Sequence, residues 1–268
     1  MRVTMASVAA GKVGRGNEDF VGAVPTAVVL TDGAGGVAGA ELVCRHDVGW
    51  YATRLGTELL TLLPGNADST LPALLAEAIG RVTDAHRDTC DVTDPRSPWA
   101  AVVMLRRVGD RVDHLVLGDA TLVLDRVGGP VVVTDQREAT VSQPYEETLA
   151  TLVEGSAEYD QVYREAVTVV RGSRNRPGGY WVAKEDPRAA AQAYTGSCPI
   201  AELSGAVLLS NGASRIVDRF GLADWPQVLT ILGSSGPDEV IRRVREAEAR
   251  DAVAADDATI AYCTDLNP

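Results

Sequence analysis

Apolar and polar positions along this chain change period several times, and each change marks an element. Near the start, "RVTMASVAA", "FVGAVPT" and "AVVLTDG" are short β-rich runs, the last closed by a turn signal, and a buried hairpin is expected here. From Gly39 to about Leu63 the spacing of Leu42, Val43, His46, Trp50, Leu55 and Leu59 predicts a helix. The polar stretch "NADST" then introduces a second helix. Its Leu71, Leu74, Leu75, Ala78, Ile79 and Val82 form an apolar face, with Glu77, Arg81, Asp84 and Arg87 toward water.

From Ala100 to Gln136, strands separated by "GD", "GDA" and "GG" have the rhythm of an antiparallel meander. Residues 143–195 read as mostly helical and polar, interrupted by "RGSRNRPGGYW". "GAVLLSNGAS" is again an apolar strand ending in a polar turn, "DWPQVLTILG" and "GPDEVIRRVREAEARD" read as helices, and "ATIAYCT" is a closing strand. Strands at the beginning, middle and end, with paired helices between them, imply one domain over residues 1–268. No internal repeat, low-complexity tract or linker interrupts it.

The composition narrows the function. Apolar residues make up 46% of the 268 positions, enough for a sizeable core. A net charge of −12 opposes phosphate backbones and anionic lipid, so neither nucleic acid nor a membrane is expected as partner. The N-terminus is too short for a spanning helix and poorly shaped for a secretory signal, and the protein is read as cytoplasmic. Cys44, Cys90, Cys198 and Cys263 lack paired C-x-x-C spacing and read as buried free thiols; His46, His86 and His114 are equally scattered. Spacing alone proposes no His/Cys metal cluster.

Carboxylates and one amide recur where apolar strands begin or end: Glu18 and Asp19, Asp32, Asp119, Asn211, then Asp256 and Asp257. Oxygen ligands of this kind suit hard divalent cations such as magnesium or manganese. Two such ions lower the pKa of a shared water and aim it at phosphorus. Taken singly, each of these residues is also what ordinary turn chemistry places at a strand end.

Taken together and in order, "GNED", "TDGAGG", "LGDA", "LLSNG" and "DDATI" resemble the motif series of the metal-dependent protein phosphatases of the type 2C (PPM) family, over residues 11–264. The resemblance implies an α+β fold, a four-layer αββα sandwich of two antiparallel sheets flanked by helix pairs, with a dinuclear magnesium or manganese site at one end. It implies Asp32 as the ligand bridging two ions, the Gly33 carbonyl and Glu18 on one ion, Asp256 on the other, Asn211 at a further ligand position, and Asp119 with a third, weaker metal. Asp19 is implied as an outer carboxylate that orients a ligand or water. The implied activity is hydrolysis of phosphomonoesters, phosphoserine and phosphothreonine in proteins above all, with a small phosphomonoester as the other substrate class.

Four positions depart from the family pattern. Asn211 stands where the family has a metal-binding Asp, which removes one negative charge. Ala34 stands where many members have a His that protonates the leaving group. The phosphate-gripping Arg is displaced, leaving Arg15 as the nearest guanidinium. Arg215 replaces an Asp found near the third metal in many bacterial members. A weakened site, and with it a pseudophosphatase that binds rather than hydrolyses, is therefore the second reading. Arg171, Arg174 and Arg176 in the Pro-Gly-Gly segment are either an anion-contacting flap or a solvated loop, and Arg174 and Arg176 join Arg15 as candidate substrate contacts. Trp99 and Trp181 are expected to pack, and the charged run from Glu239 to Arg250 to face solvent.

Overall fold

The computed structural model describes residues 1–11, 14–35 and 44–266. In chain order the elements are β1 (Arg2–Val8), β2 (Asp19–Val24), β3 (Ala27–Ala34), α1 (Val48–Leu62), α2 (Leu71–His86), β4 (Trp99–Val108), β5 (Arg111–Leu117), β6 (Thr121–Arg126) and β7 (Gly129–Thr134). They continue with α3 (Arg137–Leu149), α4 (Ala157–Gly172), β8 (Tyr194–Pro199), β9 (Leu203–Leu209), α5 (Asn211–Asp218), α6 (Trp225–Ser235), α7 (Pro237–Arg250) and β10 (Ala258–Thr264). Two five-stranded antiparallel sheets result, ordered β1-β10-β9-β6-β7 and β2-β3-β4-β5-β8.

Three apolar layers hold the sheets and helices together. Side chains alternate across a strand, so Val28 and Leu30 of β3 point to the other sheet, where they meet Leu122, Leu124, Leu208 and Ala261. Ala27 and Val29 of the same strand point the opposite way, onto Leu55 and Leu59 of α1 and Leu74 and Leu75 of α2. Both faces of β3 are covered, which is why an antiparallel strand reads as an unbroken apolar run. Beneath the other sheet, Val207, Leu209 and Ile260 pack on Ile216, Val228, Ile231, Val240 and Val244 of α5–α7. The αββα sandwich implied by the motif series is the observed architecture.

The meander expected from Ala100 to Gln136 is divided between the sheets. β4 pairs with β5 and β6 pairs with β7, while the Gly118-Asp119-Ala120 connection crosses from one sheet to the other. Gly118 makes the crossing feasible: its φ is +80°, and a Cβ there would lie 2.7 Å from the Cβ of Ala101. Strand periodicity reports which residues are buried and is silent on which sheet buries them.

The first helix begins later than its periodicity suggested. Asp47 caps it, its side chain accepting the Trp50 N–H at 2.7 Å, so that His46 precedes the helix rather than facing along it. The predicted start at Gly39, with Leu42 and Val43, lies outside the described residues. Residues 143–195 are α-helical only to Gly172, in α3 and α4; a short 3-10 helix follows at Pro187–Gln192, and Tyr194 already opens β8. "SNG" is less a turn than a helix start, because α5 begins at Asn211. α2, α6 and α7 follow expectation, and on α7 Glu239 pairs with Arg242 and Arg243 while Glu248 turns inward.

Candidate acidic metal centre

Asp19 lies opposite Asp32 in the β2–β3 register, so the hairpin alone sets two carboxylates side by side at one end of the sandwich. The Gly33 N–H donates to the Glu18 carbonyl at 3.1 Å, and a Cβ on Gly33 would stand 2.3 Å from that oxygen. Only glycine permits so close an approach. From the other sheet, the end of β9 delivers Asn211, whose backbone N–H donates to Asp32 Oδ2 at 2.7 Å. Its side-chain Nδ2 donates to Asp119 Oδ2 at 2.9 Å. Asn211, through its backbone and side-chain amides, therefore ties together the "TDG", "GDA" and "SNG" segments.

Asp256 and Asp257 immediately precede β10 and divide the work. Asp257 accepts the backbone N–H groups of Ala10 at 2.6 Å and Glu18 at 2.8 Å, which locks the N-terminal loop onto the last strand. Asp256 Oδ2 accepts Arg215 Nη2 at 2.9 Å, and the same guanidinium donates to buried Glu248 at 2.7 Å. At the mouth, Arg15 Nε donates to Glu18 Oε1 at 2.8 Å and Arg15 Nη2 to the Gly35 carbonyl at 3.2 Å.

The electrostatics follow from this crowding. Burial, then the Asp19, Asp119 and Asp256 carboxylates, raises the Asp32 pKa well above the usual carboxylate value. Burial pushes Asp19 up to about 6, with Asp257 and Asp256 adding to the rise and the Thr259 and Ser210 hydroxyls opposing it. Asp119 is also raised, first by burial. Asp19 Oδ2 is buried with no hydrogen-bond partner, and such an atom asks for a proton or a cation.

A hard divalent ion fits the Asp19, Asp32 and Asp119 end. The donors are all oxygen, the charge there is in excess, and one oxygen is orphaned. The Asp256 end fits a second ion poorly, because Arg215 already neutralises that carboxylate and Asn211 brings no charge. Among the described residues, no three of these carboxylates bring oxygens within 4.8 Å of one another.

The remaining candidates, Arg174 and Arg176, line two clefts. Arg174 is pinned: its guanidinium lies 4.7 Å over the Trp99 ring, with Nε donating to the Tyr180 hydroxyl at 3.1 Å and Nη1 to the Pro95 carbonyl at 3.0 Å. It walls a groove of about 360 Å³ beside Ala34 and Gly35, roofed by Tyr145, Tyr163 and Val170 of α3 and α4. Arg176 lines a neighbouring cleft with Lys184 and Asp186. Trp99 is buried against Tyr180 and Val182, as a packing residue should be.

Sequence reasoning passed over Glu138. On the first turn of α3, its Oε2 is buried without a partner, and burial followed by the Asp119 charge raises it to about 8. No local signal marks it, because Asp119, the charge that raises it most after burial, arrives from another loop.

No protein-family model matches the chain, and no curated protein matches its sequence. Solved structures do. The serine/threonine phosphatase Stp1 from Staphylococcus aureus aligns at 13% identity and TM-score 0.62, over 98% of this chain and 94% of that one. The catalytic domain of the serine/threonine phosphatase PstP, in complex with two manganese ions, aligns at 17% identity and TM-score 0.56, over 98% and 97%. The PPM phosphatase MsPP from Mycobacterium smegmatis aligns at 17% identity and TM-score 0.58, over 98% of each chain. At such identities the likeness is one of architecture, and this chain has the fold of the bacterial PPM-type serine/threonine phosphatases.

Proposed function

We propose that the chain is a metal-dependent phosphatase that hydrolyses phosphomonoesters, phosphoserine and phosphothreonine in proteins being the substrate class. The observation that carries this reading is the arrival of Asp19, Asp32, Asp119, Asn211 and Asp256 from four distant segments at one end of this fold. Magnesium or manganese bound there would supply Lewis acidity, which lowers the pKa of water and offsets charge on phosphate.

The chain's own residues do the rest. Asp32, with the Gly33 carbonyl, holds the centre of the site, and the Asn211 N–H fixes the Asp32 carboxylate at 2.7 Å. Asp119 holds the far side. Asp19 Oδ2 is placed to take the proton of an attacking water, since it is buried and otherwise unpartnered. Arg15 stands at the mouth, beside Gly35, where a phosphate oxygen can draw its guanidinium from Glu18. The substrate side chain enters by the groove that Trp99 and Arg174 wall.

Hydrolysis of an aryl phosphate and a phosphothreonine peptide, titrated with manganese and magnesium, tests the reading. Wild type should turn over with metal and Asp32→Ala should be silent; full activity in Asp32→Ala would sink it. A second reading, a pseudophosphatase that binds a phosphorylated partner, draws on the Arg215–Asp256 ion pair and the Asn211 amide. It requires a silent wild type and activity appearing in Asn211→Asp.

A further inference from the structure

Three residues that sequence spacing keeps apart meet on the far side of α1's first turn. Cys44 and His46 lie in the bend just before that helix, and Cys90 in the turn after α2. Their ligand atoms all fall within 4.8 Å of one another. His46 Nδ1 is 3.5 Å from Cys90 Sγ and 3.8 Å from Cys44 Sγ. The two sulfurs are 3.0 Å apart, well beyond a disulfide bond of about 2.05 Å.

Those separations have a chemical meaning. With Zn–S near 2.3 Å and Zn–N near 2.0–2.1 Å, a tetrahedral ion sets sulfur and nitrogen about 3.6 Å apart and two sulfurs about 3.8 Å apart. The nitrogen-to-sulfur distances already match, and the sulfurs need to part by about 0.8 Å.

The surroundings support ligands rather than idle thiols. The Arg45 backbone N–H donates to Cys90 Sγ at 3.2 Å, as outer groups do to a thiolate ligand. The His46 ring is stacked on Trp50 at 4.0 Å between centroids, which holds Nδ1 toward the sulfurs. His86 closes the cluster edge-on to both rings, its own Nδ1 spent on the Val82 carbonyl at 2.6 Å. Cys44 is buried while His46 and Cys90 are half-buried, so one side is open to an entering ion.

We propose that Cys44, His46 and Cys90 form a site for one zinc ion, separate from the acidic centre, that staples the start of α1 to the turn after α2. Two thiolates and an imidazole are soft to borderline donors that select zinc and disfavour magnesium or manganese, the reverse of the oxygen set around Asp32. Two thiolates also cancel the charge of the dication. Three protein ligands leave a fourth tetrahedral position for water. α1 begins with Val48, whose side chain lies against Gly33 and Gly35, so an ion joining these two segments also steadies one wall of the acidic centre.

The test is zinc content of the full chain, purified under reducing conditions and read by plasma mass spectrometry, alongside cobalt titration of the zinc-stripped chain. Wild type should carry about one zinc per chain, and cobalt should give thiolate charge-transfer absorption with tetrahedral d–d bands. Cys90→Ser and His46→Gln should each lose at least about tenfold in affinity, while manganese binding at the acidic centre persists. Absence of zinc together with absence of the cobalt–thiolate band in wild type overturns the proposal. So does undiminished zinc in both variants. Because the wild-type readings decide alone, a variant that fails to fold does not protect the proposal.

Discussion

Replacing Asp19 by Asn should stabilise the protein when magnesium and manganese are absent, and the size of the gain is set by pH. Asp19 has its pKa raised from 3.8 to about 6, chiefly by burial. A folded-state pKa above the unfolded one means that the carboxyl costs nothing below pH 3.8, where it is protonated in both states. The penalty grows as pH rises toward 6 and is complete above it. About two pKa units at roughly 1.4 kcal/mol each give a penalty of ~3 kcal/mol at pH 8, and about half of that at pH 5. Asn keeps an oxygen for the Ser210 and Thr259 hydroxyls, but its amide nitrogen inherits the unpartnered position of Oδ2 and costs about 1 kcal/mol.

The net gain is then ~2 kcal/mol at pH 8, or about 4–8 °C in Tm for a chain of this size, and about 2 °C or less at pH 5. Thermal unfolding followed by circular dichroism at both pH values, in buffer free of magnesium and manganese, reads it directly. Added manganese should raise the wild-type Tm more than that of the variant, because the carboxylate that welcomes the ion is gone. Equal shifts at the two pH values, or destabilisation at pH 8, would refute the claim that this carboxylate is desolvated and waiting for a cation.

Other substitutions probe the remaining parts of the site. Arg215→Ala should release Asp256 for a second ion and lower the manganese concentration needed for half-maximal binding, at a cost of about 1–3 kcal/mol in metal-free stability, since Glu248 keeps Arg245 as a partner; calorimetric titration should show the added ion. Asn211→Asp should strengthen metal binding, and an unchanged manganese titration would mean that position 211 is no ligand. Gly212→Ala should lower stability by about 2–4 kcal/mol in urea unfolding, because its Cβ would meet the Asp257 carbonyl at 2.0 Å. Glu138, raised from 4.5 to about 8, costs stability progressively as pH climbs between those values, with the loss complete above 8, so Glu138→Gln should flatten the stability profile between about pH 5 and 8.

The elements and the acidic residues were readable in the sequence because both leave local marks. Alternating or continuous apolar runs gave β3, β4 and β9, and all six apolar positions expected on the inner face of α2 are buried, joined there by Thr83 and His86. The order of "GNED", "TDG", "GDA", "SNG" and "DDATI" pointed to the sandwich, and Asp19, Asp32, Asp119, Asn211 and Asp256 do gather there. What escaped was everything decided by long-range partners. The division of the meander between two sheets depends on Gly118 meeting Ala101, and the duties of Arg215 and Glu138 on groups in other segments. The Cys44–His46–Cys90 cluster joins residues 44 positions apart, with no spacing signature to give it away.

The position of β10 bears on how the protein comes to life. This last strand is an inner strand, wedged between β1 and β9, with Asp256 and Asp257 immediately before it. During synthesis its two neighbours emerge first and wait with unpaired edges, open to mispairing, until β10 slides between them. The acidic centre is assembled in that same event, since Asp257 ties Ala10 and Glu18 to a strand some 240 residues away, a contact of very high order. A growing chain therefore does not build the acidic centre by degrees; completion of the fold and assembly of the centre are one step.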